Sequence, residues 1–175
     1  MNKFLTAMIL AGACTSMQAQ EIASPNGKLK VNVGCENGVA NYSVVLDNDT
    51  VICKSPLGVR TSIGDYTKGL TLSKMSDIKS VSENYSLPQT KKANISYTAN
   101  EATYSFQAKR GDNSFDAIDV VMHVDDNNVA FKYVVKPLKG RGGDRLACLV
   151  EQEATRYTFP EGTTTFICPA MTPQT

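Results

Sequence analysis

From Leu29 onward, apolar and polar residues alternate along most of this chain with a period of two, the signature of half-buried strands. Leu29, Val31, Val33 and Cys35 share one face of an extended segment, with Lys30, Asn32 and Gly34 on the other. Tyr42-Val44-Leu46, Val51-Cys53, Leu57-Val59 and Leu70-Leu72 repeat the pattern in shorter form. Ile95-Tyr97 and Tyr104-Phe106-Ala108 follow as two further strands. Ile118-Val120-Met122-Val124 is the longest clean alternation, and Val129-Phe131-Tyr133-Val135 matches it across a turn. Leu146-Cys148-Val150, Arg156-Tyr157-Thr158 and residues 163–167 are predicted to complete the set.

Turn chemistry punctuates these runs. Pro25-Asn26-Gly27 opens the domain, and Glu36-Asn37-Gly38 and Asp47-Asn48-Asp49 join successive strands. Arg110-Gly111-Asp112-Asn113 and Asp125-Asp126-Asn127-Asn128 read as hairpin loops, rich in residues that tolerate positive φ. Gly140-Arg141-Gly142-Gly143 reads as a flexible loop between strands. No stretch carries the i, i+3, i+4, i+7 apolar stripe of a helix. The expectation is an all-β, antiparallel sandwich or barrel of about a dozen short strands.

The first residues break the pattern. Lys3, an apolar run from Phe4 to Ala13 and the small residues around Ala19 have the form of a secretory leader over residues 1–19, cut near Ala19. The run is about half the length that spans a bilayer. Ala11-Gly12-Ala13-Cys14 offers a second reading, a lipoprotein cut site that would tether the chain to a membrane through Cys14. Either way the protein is periplasmic or otherwise exported, where disulfides can form. Cys35, Cys53, Cys148 and Cys168 allow three pairings that sequence cannot choose between, or serve as small apolar strand residues. No pair has Cys-x-x-Cys spacing, so a zinc knuckle lacks support.

The 175 residues suit a single domain, here 20–175. Net charge is +1 and falls to zero without Lys3; no basic block runs longer than the pair Lys91-Lys92. Nucleic acid, which needs clustered cations, is thus an improbable partner.

Candidate chemistry is sparse. His123, the single histidine, lies opposite the apolar face of its strand with Asp119, Val121 and Asp125. No Gly-x-Ser-x-Gly elbow accompanies it as a nucleophile. Asp119, His123 and Asp125 lie roughly 7 Å apart or more along one face, which suits two metal ligands at best. Asp125-Asp126-Asn127-Asn128 is too short for an EF-hand loop. Glycoside hydrolysis would need paired carboxylates. Glu83, Glu101, Glu151, Glu153 and Glu161 are the candidates, and Glu151 and Glu153 share a face but read as solvated surface charges. Gly140–Gly143 lacks the ending of a P-loop. There is no Trp to form a sugar platform. Of the seven tyrosines, Tyr42, Tyr97, Tyr104 and Tyr133 fit the core alternation, leaving Tyr66, Tyr85 and Tyr157.

Several segments together resemble one known domain. Ser24-Pro25-Asn26-Gly27-Lys28-Leu29-Lys30-Val31 is similar to the opening strand of the N-terminal domain of glycoside hydrolase family 97. Ser55-Pro56-Leu57-Gly58-Val59 resembles the next family segment. Tyr85-Ser86-Leu87-Pro88-Gln89-Thr90-Lys91-Lys92 resembles the family's Tyr-x-Leu-Pro-x-Gly-Lys stretch, with Thr90 for Gly. Asn127-Asn128-Val129-Ala130-Phe131-Lys132-Tyr133 resembles its hairpin, with Lys132 where the family has Arg. Lysine lacks the bidentate fork of arginine, so any ion pair built on that fork changes here. Glu153-Ala154-Thr155-Arg156-Tyr157-Thr158-Phe159-Pro160 and Thr163-Thr164-Thr165-Phe166 extend the resemblance to the end of the chain.

The resemblance implies a galactose-mutarotase-like β-supersandwich packed on a catalytic (β/α)8 barrel, in an exported α-glucosidase or α-galactosidase. It implies calcium in the full-length enzyme, bound by glutamates that lie mainly beyond this chain, and catalytic carboxylates in the barrel. No catalytic, sugar-binding or metal-binding residue therefore transfers to a position here, and no cofactor is expected in this chain. The chain runs out after its last strand without a charged tail, so a fragment is expected. The primary expectation is a non-catalytic accessory domain that shapes the cleft of an α-glycosidase acting on an oligosaccharide. The alternative is a free-standing periplasmic carbohydrate-binding sandwich. A purely structural sandwich and a mutarotase-type enzyme are the remaining classes, the latter short of histidines.

Overall fold

The computed structural model describes residues 19–88, 93–137 and 147–166, which form twelve strands and no helix. The leader with Lys3 and Cys14, the pair Lys91-Lys92, the loop at Gly140–Gly143 and Cys168 lie outside the described residues.

Strands β1 (Gln20–Ala23), β2 (Leu29–Glu36), β3 (Val39–Leu46) and β4 (Asp49–Pro56) form an antiparallel meander. Its two tight turns are those the sequence marks. Glu36 pairs with Val39 across Asn37 and Gly38, at φ 51° and 79°; Leu46 pairs with Asp49 across Asp47 and Asn48, at φ 49° and 74°. Two consecutive positive-φ residues match the right-handed twist of the strands they join.

The second sheet is built on β9 (Asn94–Arg110) and β10 (Asn113–Asp125), with β11 (Val129–Val135) at one edge. Its other edge is shared: β8 (Lys79–Ser86) pairs with the first half of β9, and β7 (Leu70–Met75) with the second. The sequence reads β9 as two strands because its apolar phase changes near Asn100. The backbone continues unbroken for 17 residues. Residues before the change put Ile95 and Tyr97 on the face turned away from the first sheet. Residues after it put Ala102, Tyr104 and Phe106 into the core. A third, small sheet joins β12 (Val150–Glu153), β5 (Val59–Thr61) and β6 (Gly64–Asp65).

The two large sheets bury a shared apolar layer. Ile22, Val31, Val33, Tyr42 and Val44 come from one side, and Leu72, Tyr104, Phe106, Ile118, Val120 and Met122 from the other; all are at most 3% exposed. This is the predicted all-β antiparallel sandwich. A β-bulge at Ala117 lets Phe115 and Ile118 both turn inward although they are three residues apart.

Three predictions at the C-terminal end fail. Of the predicted Leu146-Cys148-Val150 strand, Leu146 lies outside the described residues, Cys148 is in no strand, and β12 begins at Val150. Arg156-Tyr157-Thr158 contributes a single bridge, Thr158 to Cys53. Residues 163–166 take no strand conformation, and Ile167 lies outside the described residues. The cysteines differ as well. Cys35, Cys53 and Cys148 are free thiols; the first two are half-buried and Cys148 is exposed off any strand. Burial pushes the Cys35 thiol pKa up, and its Sγ donates to the Leu70 carbonyl at 3.1 Å.

Candidate functional site

Cross-strand register decides which side chains meet on the outer face of the second sheet. Glu101 lies opposite His123, Ala99 opposite Asp125, and on the far side Glu83 lies opposite Tyr97 and Tyr85 opposite Ile95. The face opposite the core thus carries Tyr85, Glu83, Tyr97, Glu101, His123 and Asp125 side by side. The sequence assigns Tyr97 to the core from its alternation with Ile95. The structure places it on this outer surface.

Each side chain is held. The Tyr97 hydroxyl donates to Glu83 Oε2 at 3.1 Å, and the carboxylate raises the phenol pKa in return. The His123 ring meets the Tyr97 ring edge-on, with centroids 5.7 Å apart and planes at 79°. Its Nδ1 lies 3.7 Å from Glu101 Oε2, while Nε2 is buried and has no hydrogen-bond partner. Asp125 forms an Asx turn: its Oδ1 accepts the Asn127 and Asn128 N–H groups, both at 2.7 Å. Partial burial alone would raise the Asp125 pKa, but these hydrogen bonds outweigh it and hold the carboxyl below its ordinary range. Asp126 Oδ1 accepts the Asn26 N–H at 3.0 Å, which braces this loop against the turn that opens the domain. Tyr85, Tyr97, His123, Asp125 and Asp126 line an open cleft of about 560 Å³, with Glu83 and Glu101 outside its lining.

The other acid of the predicted face behaves differently. Asp119 is 7% exposed and pairs with Lys136 Nζ, so it belongs to an ion pair at the middle of β10 rather than to the cleft. The remaining glutamates are dispersed. Glu151, on a bulge of β12, lies 3.4 Å from Arg60 Nε. Glu153 borders a second cleft of about 550 Å³ on the apolar side, beside Tyr42, Phe131 and Tyr157. Glu161 sits in an exposed turn. Among the described residues, no three His, Cys, Asp or Glu side chains are placed to hold a metal ion.

That arrangement, a two-sheet antiparallel sandwich, can be set against known proteins. Residues 22–175 match the family described as Glycosyl-hydrolase 97 N-terminal. The chain belongs to this family. It is 28% identical over 167 residues to a probable retaining alpha-galactosidase of Streptomyces bingchenggensis (strain BCW-1), covering 95% of this chain and 24% of that protein. The crystal structure of a beta-arabinopyranosidase superposes with a TM-score of 0.73 at 36% identity, over 87% of this chain and 23% of that one. A glycoside hydrolase family 97 enzyme from Pseudoalteromonas sp. strain K8, in complex with panose, shares the fold with a TM-score of 0.68 at 21% identity. That likeness covers 81% of this chain and 20% of the enzyme. This family 97 domain therefore spans about a quarter of the length of the relatives it matches.

Within the family 97 sandwich, the segments that carried the resemblance acquire physical roles. Ser24 Oγ accepts the Leu29 N–H at 3.1 Å and fixes the turn before β2. A Cβ on Gly58 would lie 2.9 Å from the Thr67 Cα, so only glycine lets the Leu57-Gly58 segment pass that backbone. Lys132 lies on the outer face, bordering a small depression with Glu83, Glu101 and His123.

Proposed function

We propose that this chain is the non-catalytic N-terminal sandwich of an exported α-glycosidase, packing on a catalytic (β/α)8 barrel and shaping the rim of its cleft. The observation that carries the reading, beyond family membership, is where apolar surface remains uncovered. Leu149, Val150, Tyr157, Phe159 and Phe166 are between 44% and 100% exposed, all within one short stretch. Large side chains so exposed and so concentrated favour a surface that another domain covers. Among the described residues the neighbouring acids of the outer face are engaged, Glu83 by Tyr97, Glu101 by His123 and Asp125 by loop amides, which favours a structural role over a hydrolytic pair. In this reading the hydrolytic chemistry, and any calcium site of the full-length enzyme, belong to the barrel. The leader over residues 1–19 would deliver the protein to the periplasm, with cleavage near Ala19.

Reading the gene downstream of the Thr175 codon tests this. The expected result is an open frame continuing into a barrel domain of several hundred residues. A stop codon at that point would favour the free-standing carbohydrate-binding sandwich. Hydrolysis of an aryl α-glycoside by the chain alone at enzymatic rates would refute the non-catalytic assignment.

A further inference from the structure

We propose that the outer-face cleft framed by Tyr85, Tyr97, His123 and Asp125 is a binding site for a neutral oligosaccharide. The ligand class follows from the lining. Asp125 and Asp126 contribute carboxylates and, among the described residues, no lysine or arginine lines the cleft, which disfavours phosphorylated or acidic ligands. Ser96 and Thr98 add hydroxyls beside the amide-rich loop at Asn127 and Asn128. Tyr85 and Tyr97 supply the aromatic surface, and Ile95 and Ala130 the only aliphatic contacts. A ligand that presents both hydroxyls and flat C–H faces matches this mixture; a lipid or a polyanion does not.

The cleft is also set in advance. Glu83 anchors the Tyr97 hydroxyl, and the edge-on His123 ring fixes the tilt of the tyrosine. The loop at its end is held by Asp125 from within and by Asn26 from outside. Groups already fixed lose little freedom when a ligand arrives. The His123 ring borders the cleft, and its Nε2 is buried without a hydrogen-bond partner. Asp125, by contrast, spends its oxygens on the loop amides, so the cleft recognises through the rings, the hydroxyls and His123 rather than through a chelating acid. The inference takes its ligand class from this lining and shares with the accessory-domain reading only the expectation of a sugar-handling protein.

Titration calorimetry of the 175-residue chain with maltotriose and with melibiose is the test. Saturable binding of at least one, in the millimolar range or tighter, is expected. Tyr97→Ala should weaken it by about tenfold or more, whereas Tyr97→Phe, which keeps the ring, should retain most of it. Tyr157→Ala, in the apolar cleft, should leave it unchanged. If Tyr97→Ala loses the strand signature in circular dichroism, Tyr85→Ala at the exposed sheet edge takes its place. Absence of saturable binding to both sugars overturns the proposal. So does binding that survives Tyr97→Ala and Tyr85→Ala, or that is lost with Tyr157→Ala alone. A gene that runs on into a barrel while the sandwich binds neither sugar would defeat only this inference. A binding sandwich followed directly by a stop codon would defeat only the accessory-domain reading.

Discussion

The hydroxyl oxygens of Tyr133 and Thr155 lie 2.6 Å apart, and the Tyr133 oxygen also accepts the Gly58 N–H at 2.9 Å. One phenol thereby ties the edge of the second sheet to the backbone leading into β5 and to the segment after β12. Tyr133→Phe keeps the ring but leaves a buried N–H without an acceptor. A loss of about 1–3 kcal/mol is expected in urea unfolding. Thr155→Val should cost less, because the Gly58 N–H keeps its acceptor. Equal losses for the two variants would mean that the Gly58 contact contributes nothing.

The Asp119–Lys136 pair should behave as a partly buried ion pair. Asp119 is 7% exposed, and only one of its carboxylate oxygens has a partner. Lys136→Met strands that acid and should destabilise the fold by about 3 kcal/mol. Replacing both residues with apolar ones, Asp119→Leu with Lys136→Met, should recover most of the loss. A double variant no better than the single one would show that the pair's packing, not its charge, is what matters.

Gly27 and Gly38, in two turns of the first half, should not be equivalent. Gly38 sits at φ 79° with its missing Cβ position 2.9 Å from the Gly69 nitrogen, while Gly27, at φ 74°, faces open space. Both pay the left-handed penalty on mutation to alanine, about 1–2 kcal/mol. Gly38→Ala should add a backbone clash with the turn before β7 and lower the melting temperature clearly more than Gly27→Ala. Matching melting temperatures would rule out the close approach of those two turns.

Alkaline unfolding should begin near the ordinary tyrosine pKa. Burial pushes Tyr42 from 10.0 to about 12, and burial likewise raises Tyr104 and Tyr133. A raised folded-state value means the unfolded chain releases the proton first. The stabilisation is complete below pH 10 and is lost as pH rises towards 12. Ultraviolet titration of tyrosinate should therefore show Tyr42 and Tyr104 ionising only as circular dichroism is lost. Simultaneous ionisation of every tyrosine in a folded protein would contradict the burial of Tyr42 and Tyr104.

Much of the architecture was legible because hairpins announce themselves. Asn37-Gly38 and Asp47-Asn48 mark their turns by residue type, and the alternation in β2, β3 and β10 specifies faces directly. The outer cleft was not legible, for two physical reasons. Period two says which residues share a face, never which face is covered, so Ile95 and Tyr97 looked like core. The meeting of Glu101 and His123 also depends on the bulge at Ala117. Counted back from the Arg110–Asn113 turn without it, Glu101 would oppose Met122 instead. A bulge inserts one residue into the register without a composition signal of its own. The C-terminal strands failed because their pairing is decided by distant segments, as with Val150 and Thr61.

That long-range stitching bears on the order in which the chain can assemble. Both β2–β4 and β8–β11 close through neighbouring hairpins, whose loops are short and quick to form. The Thr158 N–H, by contrast, finds Ser55 Oγ across 103 residues. Such a contact is rewarded only after both meanders exist to hold its ends, so the strap from Ala154 to Thr158 should be the last piece to lock and the first to peel away. Amide exchange would then be fastest along that strap and slowest in β10, giving the molecule a graded rather than uniform resistance to opening.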